Sequence, residues 1–503
     1  MMPSLLLQTI LVPTLIALVI LLFRFQLGKK SGWVAVLSLG YTTALLLIAL
    51  FAVYNGNPIV ENYRLLHSPD ISITLIADGL SIAVALICNL LCLALCTYSI
   101  TYIPHRIELL YPHVLGTKGE IGYFACFFYL LLFFPVGFMG VSFASDLVLM
   151  YFFLEILTLF LFFLMAYFGY YERVWVATMC FIWGVFSALF FLAGVAIIYS
   201  QTGTFQIDQI HVMAGDPMAF WAILLVLLGM WGKLAIIPLH VWMPWVHAEH
   251  PTCIAGLLAV YANIAAYIVV RTLVLPLWGD FQWFGPPIMI LAVATMIYGS
   301  LLTLAQTDMK RIPACSTISQ TAYSMLGIGA LTATSIEGGL FFFLSHIMGK
   351  TVFFSTCGIV VYTTHIRDSR QLGGLATKMP FTALLFLSGG LMLAGIPPFS
   401  SFAAEVIMFA GIFNRGDMFG LVIGIIGLMA ILLTISYAVH FTRKIFFGPL
   451  PEELAQNEHI KDPPWTMMAP LMVIILVAAF LGVYPSLVMD LFQPVISGTL
   501  AGM

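Results

Sequence analysis

Four ionisable side chains sit inside otherwise apolar stretches of this chain. Lys233 lies in WGKLAIIPLHVWMPWVHAEHP, Glu155 in YFFLEILTLF, Lys350 in FLSHIMGKTVFF and Glu405 in GIPPFSSFAAEVIMF. A charge held in hydrocarbon costs roughly 2.5–3.5 kcal/mol on the mildest scale, so such groups face a protein interior or a wet cavity. Burial also brings ammonium and carboxyl groups toward exchanging protons near neutral pH. The chemistry these residue types offer is therefore proton exchange along a buried path.

Each group has a local reason to take part. Glu155 is a plausible electrostatic partner for Lys233. His346 precedes Lys350 by one helical turn, so the imidazole and the ammonium share a helix face. That spacing passes a proton directly or through one water. Glu405 follows the Gly395-Ile396-Pro397-Pro398 break and stands as the second half's counterpart of Lys233. His240 follows the first break, at Pro238, in the triplet PLH. The expected proton path is thus Glu155, Lys233, His240, His346, Lys350 and Glu405. Each of these also admits a plain packing role, as an ion pair or an anchor to a neighbouring helix.

Other chemistry is excluded or weak. His240, His247 and His250 have irregular spacing and no cysteine joins them, so no metal is expected there. Cys88, Cys92 and Cys96 share a helix face and read as small packing residues, since cluster ligation uses a different spacing. No phosphate loop, dinucleotide fingerprint or nucleophile elbow is present. No cofactor or redox centre is expected in this chain. The net charge of -3 gives no reason to propose nucleic acid.

The elements that must position these residues are membrane helices. The 503 residues are 62% hydrophobic and 8% charged, against about a quarter charged in soluble domains. An apolar span needs about 20 residues, and the sequence predicts fourteen: 5–24, 32–53, 77–100, 121–140, 142–166, 174–200, 219–246, 252–275, 285–305, 314–332, 336–362, 380–413, 418–442 and 466–489. The first reads as a retained helix, lacking a basic start and a small-residue cleavage site. The expected fold is all-α and polytopic, with no room for a soluble catalytic domain.

Charge placement gives an orientation. Of the 19 Lys and Arg, most fall in or beside the loops after odd-numbered helices, Arg24, Lys29, Arg106, Lys310, Arg367 and Arg370 among them. Only Arg64, Arg271 and Arg415 fall in the opposite loops. The positive-inside rule then puts both termini outside.

The seventh and twelfth spans are long and broken. Broken helices at corresponding positions of two halves are a sequence pointer to a transport site. The chain divides into an N-terminal segment (1–120), a five-helix unit (121–275), a second unit (285–446) and a C-terminal helix (447–503). An odd number of helices per unit requires the second copy to be inverted. Hydropathy alone carries this repeat.

GKLAIIPLHVWMPWVHAEHPT resembles the signature of the antiporter-like subunits of respiratory complex I. DMKRIPACSTIS, HIMGK, RQLGGLATKMP, the GIPPF break and KIFFGP also fit that family, in order, over roughly residues 75 to 490. The resemblance implies fourteen helices, two inverted five-helix repeats and a central axis of protonatable residues. It assigns Glu155 to the fifth-helix glutamate, Lys233 to the seventh-helix lysine and Glu405 to the twelfth-helix charged position. Glutamate there is similar to the M-type subunit, and HIMGK is similar to the lysine-containing homologues. Three positions depart: Asn263 stands where the eighth-helix lysine is usual, Trp245 where an aspartate is, and Gln320 where a histidine is. The implied function is proton translocation in the membrane arm of a redox-driven complex, a quinone reductase or related hydrogenase. The implied partners are other membrane-arm subunits, with peripheral redox subunits acting indirectly, and the lipid bilayer of an inner or cytoplasmic membrane. The alternatives are a subunit of a multisubunit sodium/proton antiporter and a non-pumping spacer.

Overall fold

The computed structural model describes residues 4–67 and 70–501. Every expected span is present as a helix or a broken helix. They are α1 (Leu5–Leu22), α2 (Ser31–Tyr54), α3 (Gly79–Leu110), α4 (Lys118–Leu131 continuing as Phe133–Phe143), α5 (Leu147–Phe168) and α6 (Arg173–Thr202). Next come α7 in two halves, α7a (Pro217–Leu234) and α7b (Met243–Glu249), and α8 (Thr252–Val274). α9 (Gly285–Leu304), α10 (Arg311–Gly329) and α11 (Ala333–Thr364) follow. Then come α12a (Pro380–Leu393), α12b (Ser400–Phe413), α13 (Met418–Phe446) and α14 (Trp465–Val483).

Two features add to the expected frame. An antiparallel hairpin pairs β1 (Ile59–His67) with β2 (Asp70–Ala77) ahead of α3. Asp78 then caps α3, its carboxylate and the Ser81 hydroxyl forming reciprocal bonds with backbone N–H groups. The expected 466–489 segment stops at Val483, and after Tyr484 and Pro485 a separate helix, α15 (Ser486–Ala501), begins. Proline lacks the N–H needed to carry a helix on. α15 packs back onto the bundle, where the Ser497 hydroxyl donates to Glu337 of α11 at 2.8 Å.

Twelve helices among the described residues are long and apolar enough to cross a membrane. α12 falls short because its break divides it into two pieces. α10 differs for another reason: it carries Ser316, Thr317, Ser319, Gln320, Thr321 and Ser324, and all of its residues from Ile312 to Gly329 are buried. A polar helix inside a bilayer has to be shielded by protein on every side. α8 and α11 are likewise buried throughout their apolar window, whereas α13 and α14 bury only a third of theirs. The centre of the molecule is thus α8, α10 and α11, with the apolar helices as a sleeve.

The two five-helix units repeat in backbone detail. Asp146 heads α5, accepting from the Val148 and Leu149 N–H groups at 2.8 and 2.9 Å. Asp308 heads α10, accepting from the Lys310 and Arg311 N–H groups at 2.8 and 3.1 Å. Leu147 N–H donates to Phe205 and Ile207 N–H to Ser145, while Met309 N–H donates to Arg367 and Ser369 N–H to Thr307. One constant interval relates every member of the first set to its equivalent in the second. Five crossings, α5 to α9, separate the two ladders, so they lie on opposite faces.

The breaks match in the same way. Ala235 (φ 55) and Gly395 (φ 63) occupy the left-handed region. Ile236 N–H donates to Trp231 and Ile396 N–H to Leu391. A broken helix frees carbonyls that need partners in hydrocarbon. Gly232 O accepts from the Trp242 indole N–H, and Met392 O, its equivalent, accepts from the Ser401 hydroxyl. This register corrects one expectation. Counted from the breaks, Lys233 corresponds to Leu393 and Glu405 corresponds to Trp245, so Lys233 and Glu405 are not counterparts.

Candidate functional site

Lys233 ends α7a, where the helix dipole favours a cation. It is 1% exposed. Its ammonium donates to the Tyr261 hydroxyl of α8 at 2.9 Å and lies 4.7 Å from that ring's centre. Tyr261 continues to Thr158 of α5 at 3.0 Å. Gly184 of α6 makes room for this contact, since a Cβ there would come within 2.7 Å of Thr158 and 3.0 Å of the Tyr261 oxygen. Glu155 stands one turn before Thr158. It is within electrostatic reach of Lys233 but forms no salt bridge with it, and its Oε1 is buried without a partner. Lys233 is thus held by the Tyr261 hydroxyl, with the carboxylate nearby.

A second assembly lies across α8. Asn263 Nδ2 donates to the Ala259 carbonyl at 2.8 Å, which turns its Oδ1 toward His346 Nδ1 at 3.2 Å. The proton of His346 therefore sits on Nδ1. Nε2 is left bare, buried and unpartnered. One turn on, the Lys350 ammonium donates to the Pro313 carbonyl at 3.0 Å and to the Ser316 hydroxyl. Ser316 donates to the Pro313 carbonyl at 3.1 Å and lies close to the Tyr437 hydroxyl of α13. Gln320 Nε2 donates to Tyr437 at 3.2 Å and to Thr434 at 3.4 Å, and Thr434 meets the Tyr323 hydroxyl at 3.2 Å. Tyr323 and Tyr437 both lie within electrostatic reach of Glu405.

Glu405 is 6% exposed and its Oε1 has no partner. Its carboxylate rests on the second break. A Cβ on Gly395 would run into Glu405 Oε2, so this approach calls for glycine there, and the positive φ, which Ala235 tolerates at the equivalent turn, favours it further.

The sequence-derived candidates therefore fall into two groups and one outlier. Glu155 and Lys233 lie within electrostatic reach of each other, beside the Tyr261–Thr158 link. His346, Lys350 and Glu405 are strung along α10 and α11. His240 is apart: it is half-buried, its ring lies 4.9 Å from that of Tyr298 on α9, and its Nδ1 has no partner. His247, a weak signal in the sequence and left out of the expected path, is wholly buried, and neither ring nitrogen has a partner. It lies within electrostatic reach of His250, Lys350, His346 and Lys310. The hydroxyl and amide links were also missed, yet α10 carried a signal. A span that must cross the bilayer while holding this many polar side chains has to line something polar.

The departures from the resembled pattern sit within this string or at its edge. Asn263 fixes the His346 tautomer, and Gln320 bridges Tyr437 and Thr434. Trp245 is 40% exposed and stacks under the Arg311 guanidinium at 4.6 Å.

Residues 144–433 match the family described as NADH:quinone oxidoreductase/Mrp antiporter, TM. The chain belongs to that family. It is 28% identical over 93% of its length to NAD(P)H-quinone oxidoreductase chain 4 2 of Synechococcus sp., covering 86% of that protein. It is 27% identical to NADH-quinone oxidoreductase subunit M of Rickettsia felis, covering 96% of each. It is also 28% identical to a Na(+)/H(+) antiporter subunit of Alkalihalophilus pseudofirmus over 94% of its length, but spans only 60% of that longer protein. The fold is shared with a chain of respiratory complex I from Thermus thermophilus (TM-score 0.84, 20% identity, 99% of both chains). It is shared too with a chain of the Mrp complex from Dietzia sp. (TM-score 0.82, 22% identity, 99% of this chain and 98% of that one).

Proposed function

We propose that this chain is a proton-translocating subunit in the membrane arm of a redox-driven, complex I-like oxidoreductase. The observation that carries this reading is the buried polar row on α10, α11 and α13: Lys350 bonded to Ser316, then, close beside it, Tyr437, Gln320, Thr434 and Tyr323 bonded in turn, at the edge of Glu405. Hydroxyls both donate and accept, so they relay protons on either side of Gln320, whose amide donates to Tyr437 and Thr434 and orients them. The ends of the row are ionisable groups, one of them seated on a helix break. The membrane holding it is an inner or cytoplasmic membrane, with the basic loops on the inside and the termini outside. Its neighbours are other membrane-arm subunits, and peripheral redox subunits supply the energy. The chain itself holds no cofactor. Moving one charge across the bilayer costs about 2.3 kcal/mol per 100 mV, which electron transfer elsewhere in the complex would supply.

The similarity to the sodium/proton antiporter relative supports a second reading, sodium/proton exchange without electron transfer. Isolating the native complex in vesicles separates the two. Proton uptake that needs an electron donor, and is lost in Lys233→Ala, supports the first. Uptake driven by a sodium gradient alone supports the second and refutes the first.

A further inference from the structure

The string described above has a gap at α8. Asn263 carries no exchangeable charge at any accessible pH, and it faces the second group, not Lys233. A continuous path through α8 therefore has no proton carrier at this point. The second group needs its own connection to an aqueous face, and the buried residues around α7b supply one.

His250 Nδ1 lies 3.1 Å from the Pro251 carbonyl, so its proton sits there and Nε2 is bare, buried and unpartnered. The His247 and His250 rings are 5.4 Å apart, and His247 lies 5.2 Å from the Phe354 ring, one turn past Lys350. On the other side, the Lys310 ammonium donates to the His250 carbonyl and sits 3.6 Å over the Tyr170 ring. Lys310 is fully buried. Beyond it Arg367 ties Glu249, the last residue of α7b, to Asp308 of the second ladder, at 3.3 and 2.9 Å. These three side chains line a surface cavity of about 550 Å³. On the opposite face the first ladder opens on its own cavity, about 490 Å³, lined by Ser145, Gln206, Asp208 and the Asp78–Arg271 ion pair. The two vestibules sit on the two equivalent ladders.

We propose that His247, His250 and Lys310 form a proton lane joining the Glu249–Asp308–Arg367 vestibule on the basic face to His346 and Lys350. The lane rests on the translocation reading above and adds where its second half meets water. Lys310 passes a proton from the vestibule carboxylates to His250 Nε2, making an imidazolium. Its transfer to His247 and then to His346 Nε2 returns each ring to neutral. Lys310 is the gate because lysine, unlike arginine, gives up its proton when buried. The charged groups facing it include Arg367, Glu249 and Asp308 of the vestibule, and Arg106, which lines a neighbouring cavity with Tyr170; the imidazoles facing it are those of His250 and His247.

The test uses the native complex in sealed vesicles, reading protons moved per electron transferred. His247→Phe keeps the ring against Phe354 and removes both nitrogens. Lys310→Arg keeps the charge and its contacts but holds its proton. Both are expected to assemble at the level of the unaltered complex, to keep electron transfer, and to move at least tenfold fewer protons. Lys350→Met is the control for the reading beneath. An unaltered complex that moves protons, a dead Lys350→Met, and full translocation in both His247→Phe and Lys310→Arg would overturn the lane alone. Full translocation in Lys350→Met would overturn the reading it rests on. Should His247→Phe fail to accumulate, Lys310→Arg decides the matter.

Discussion

The two five-helix units share a scaffold and differ in where they put charge. Both open their second helix with an aspartate cap, both tie the loop after the third helix to that cap, and both break the fourth helix around a left-handed residue. In the first unit the charge stands just before the break, as Lys233, on the Tyr261 hydroxyl. In the second the matching position is Leu393. The charge there has moved to Lys350 on the third helix and to Glu405 beyond the break. The difference teaches that the repeat fixes backbone devices and not a set of ionisable positions. A helix break needs its freed carbonyls satisfied, and an indole N–H serves as well as a hydroxyl. Charge can be placed wherever the surrounding helices exclude lipid.

Several substitutions would sharpen or break this contrast. The largest effect is expected from Lys350→Met. It removes one donor from the Pro313 carbonyl and one from the Ser316 hydroxyl, but Ser316 and Thr317 still donate to that carbonyl, so the stability cost should stay near about 1 kcal/mol. It also cuts the string at its start, so protons moved per electron should fall at least tenfold. Retained translocation would mean that the hydroxyl string is packing only.

Gly395→Ala comes next. The new Cβ meets the Glu405 carboxylate and the backbone keeps a positive φ, so destabilisation by more than about 1 kcal/mol is expected. Ala235 already carries a Cβ at the equivalent turn, so Ala235→Gly should be neutral or nearly so. Thermal unfolding of the complex checks the pair, and equal shifts would refute the asymmetry between the breaks.

The caps offer a closer comparison. Asp146→Ala and Asp308→Ala each remove a helix N-cap, worth about 0.5–2 kcal/mol. Asp308 also holds Arg367, so its loss should cost more. Equal losses would show that the Arg367 bridge adds nothing.

The smallest effect is expected at the exposed pair on the opposite face. The Arg415 side chain and the Gly420 N–H hold the Asp417 carboxyl down to about 2. Its folded pKa is depressed, so whatever stability it gives is full above the ordinary carboxylate range and is lost as pH falls toward about 2. Asp417→Asn should therefore shift stability by under about 1 kcal/mol, with no change in that shift between pH 5 and 9.

Much of this organisation was legible in the sequence. Apolar runs of sufficient length placed the spans, and prolines within them placed both breaks. Glu155, Lys233, Lys350 and Glu405 stood out because charge is rare in such runs. The hairpin was missed although Ile71, Ile73 and Leu75 alternate with Ser72 and Thr74 at a strand's period, because a search for 20-residue apolar spans passes over so short a run. The pairing of Lys233 with Glu405 failed because hydropathy counts helices, whereas the register within a break needs backbone hydrogen bonds. Lys310 read as one more loop cation, yet it is wholly buried, because α7b folds over it and hydropathy carries no record of that. Of the three opposite-face arginines, Arg271 and Arg415 are paired with Asp78 and Asp417, and the Arg64 side chain lies outside the described residues. His240 drew notice by its place after the break, but its ring turns to Tyr298.

The most direct measurement compares Lys233→Ala with the unaltered chain in the native complex, sealed in vesicles, with protons counted per electron. Loss of translocation while electron transfer and assembly persist is the result this account requires. Full coupled translocation without the Lys233 ammonium would contradict it.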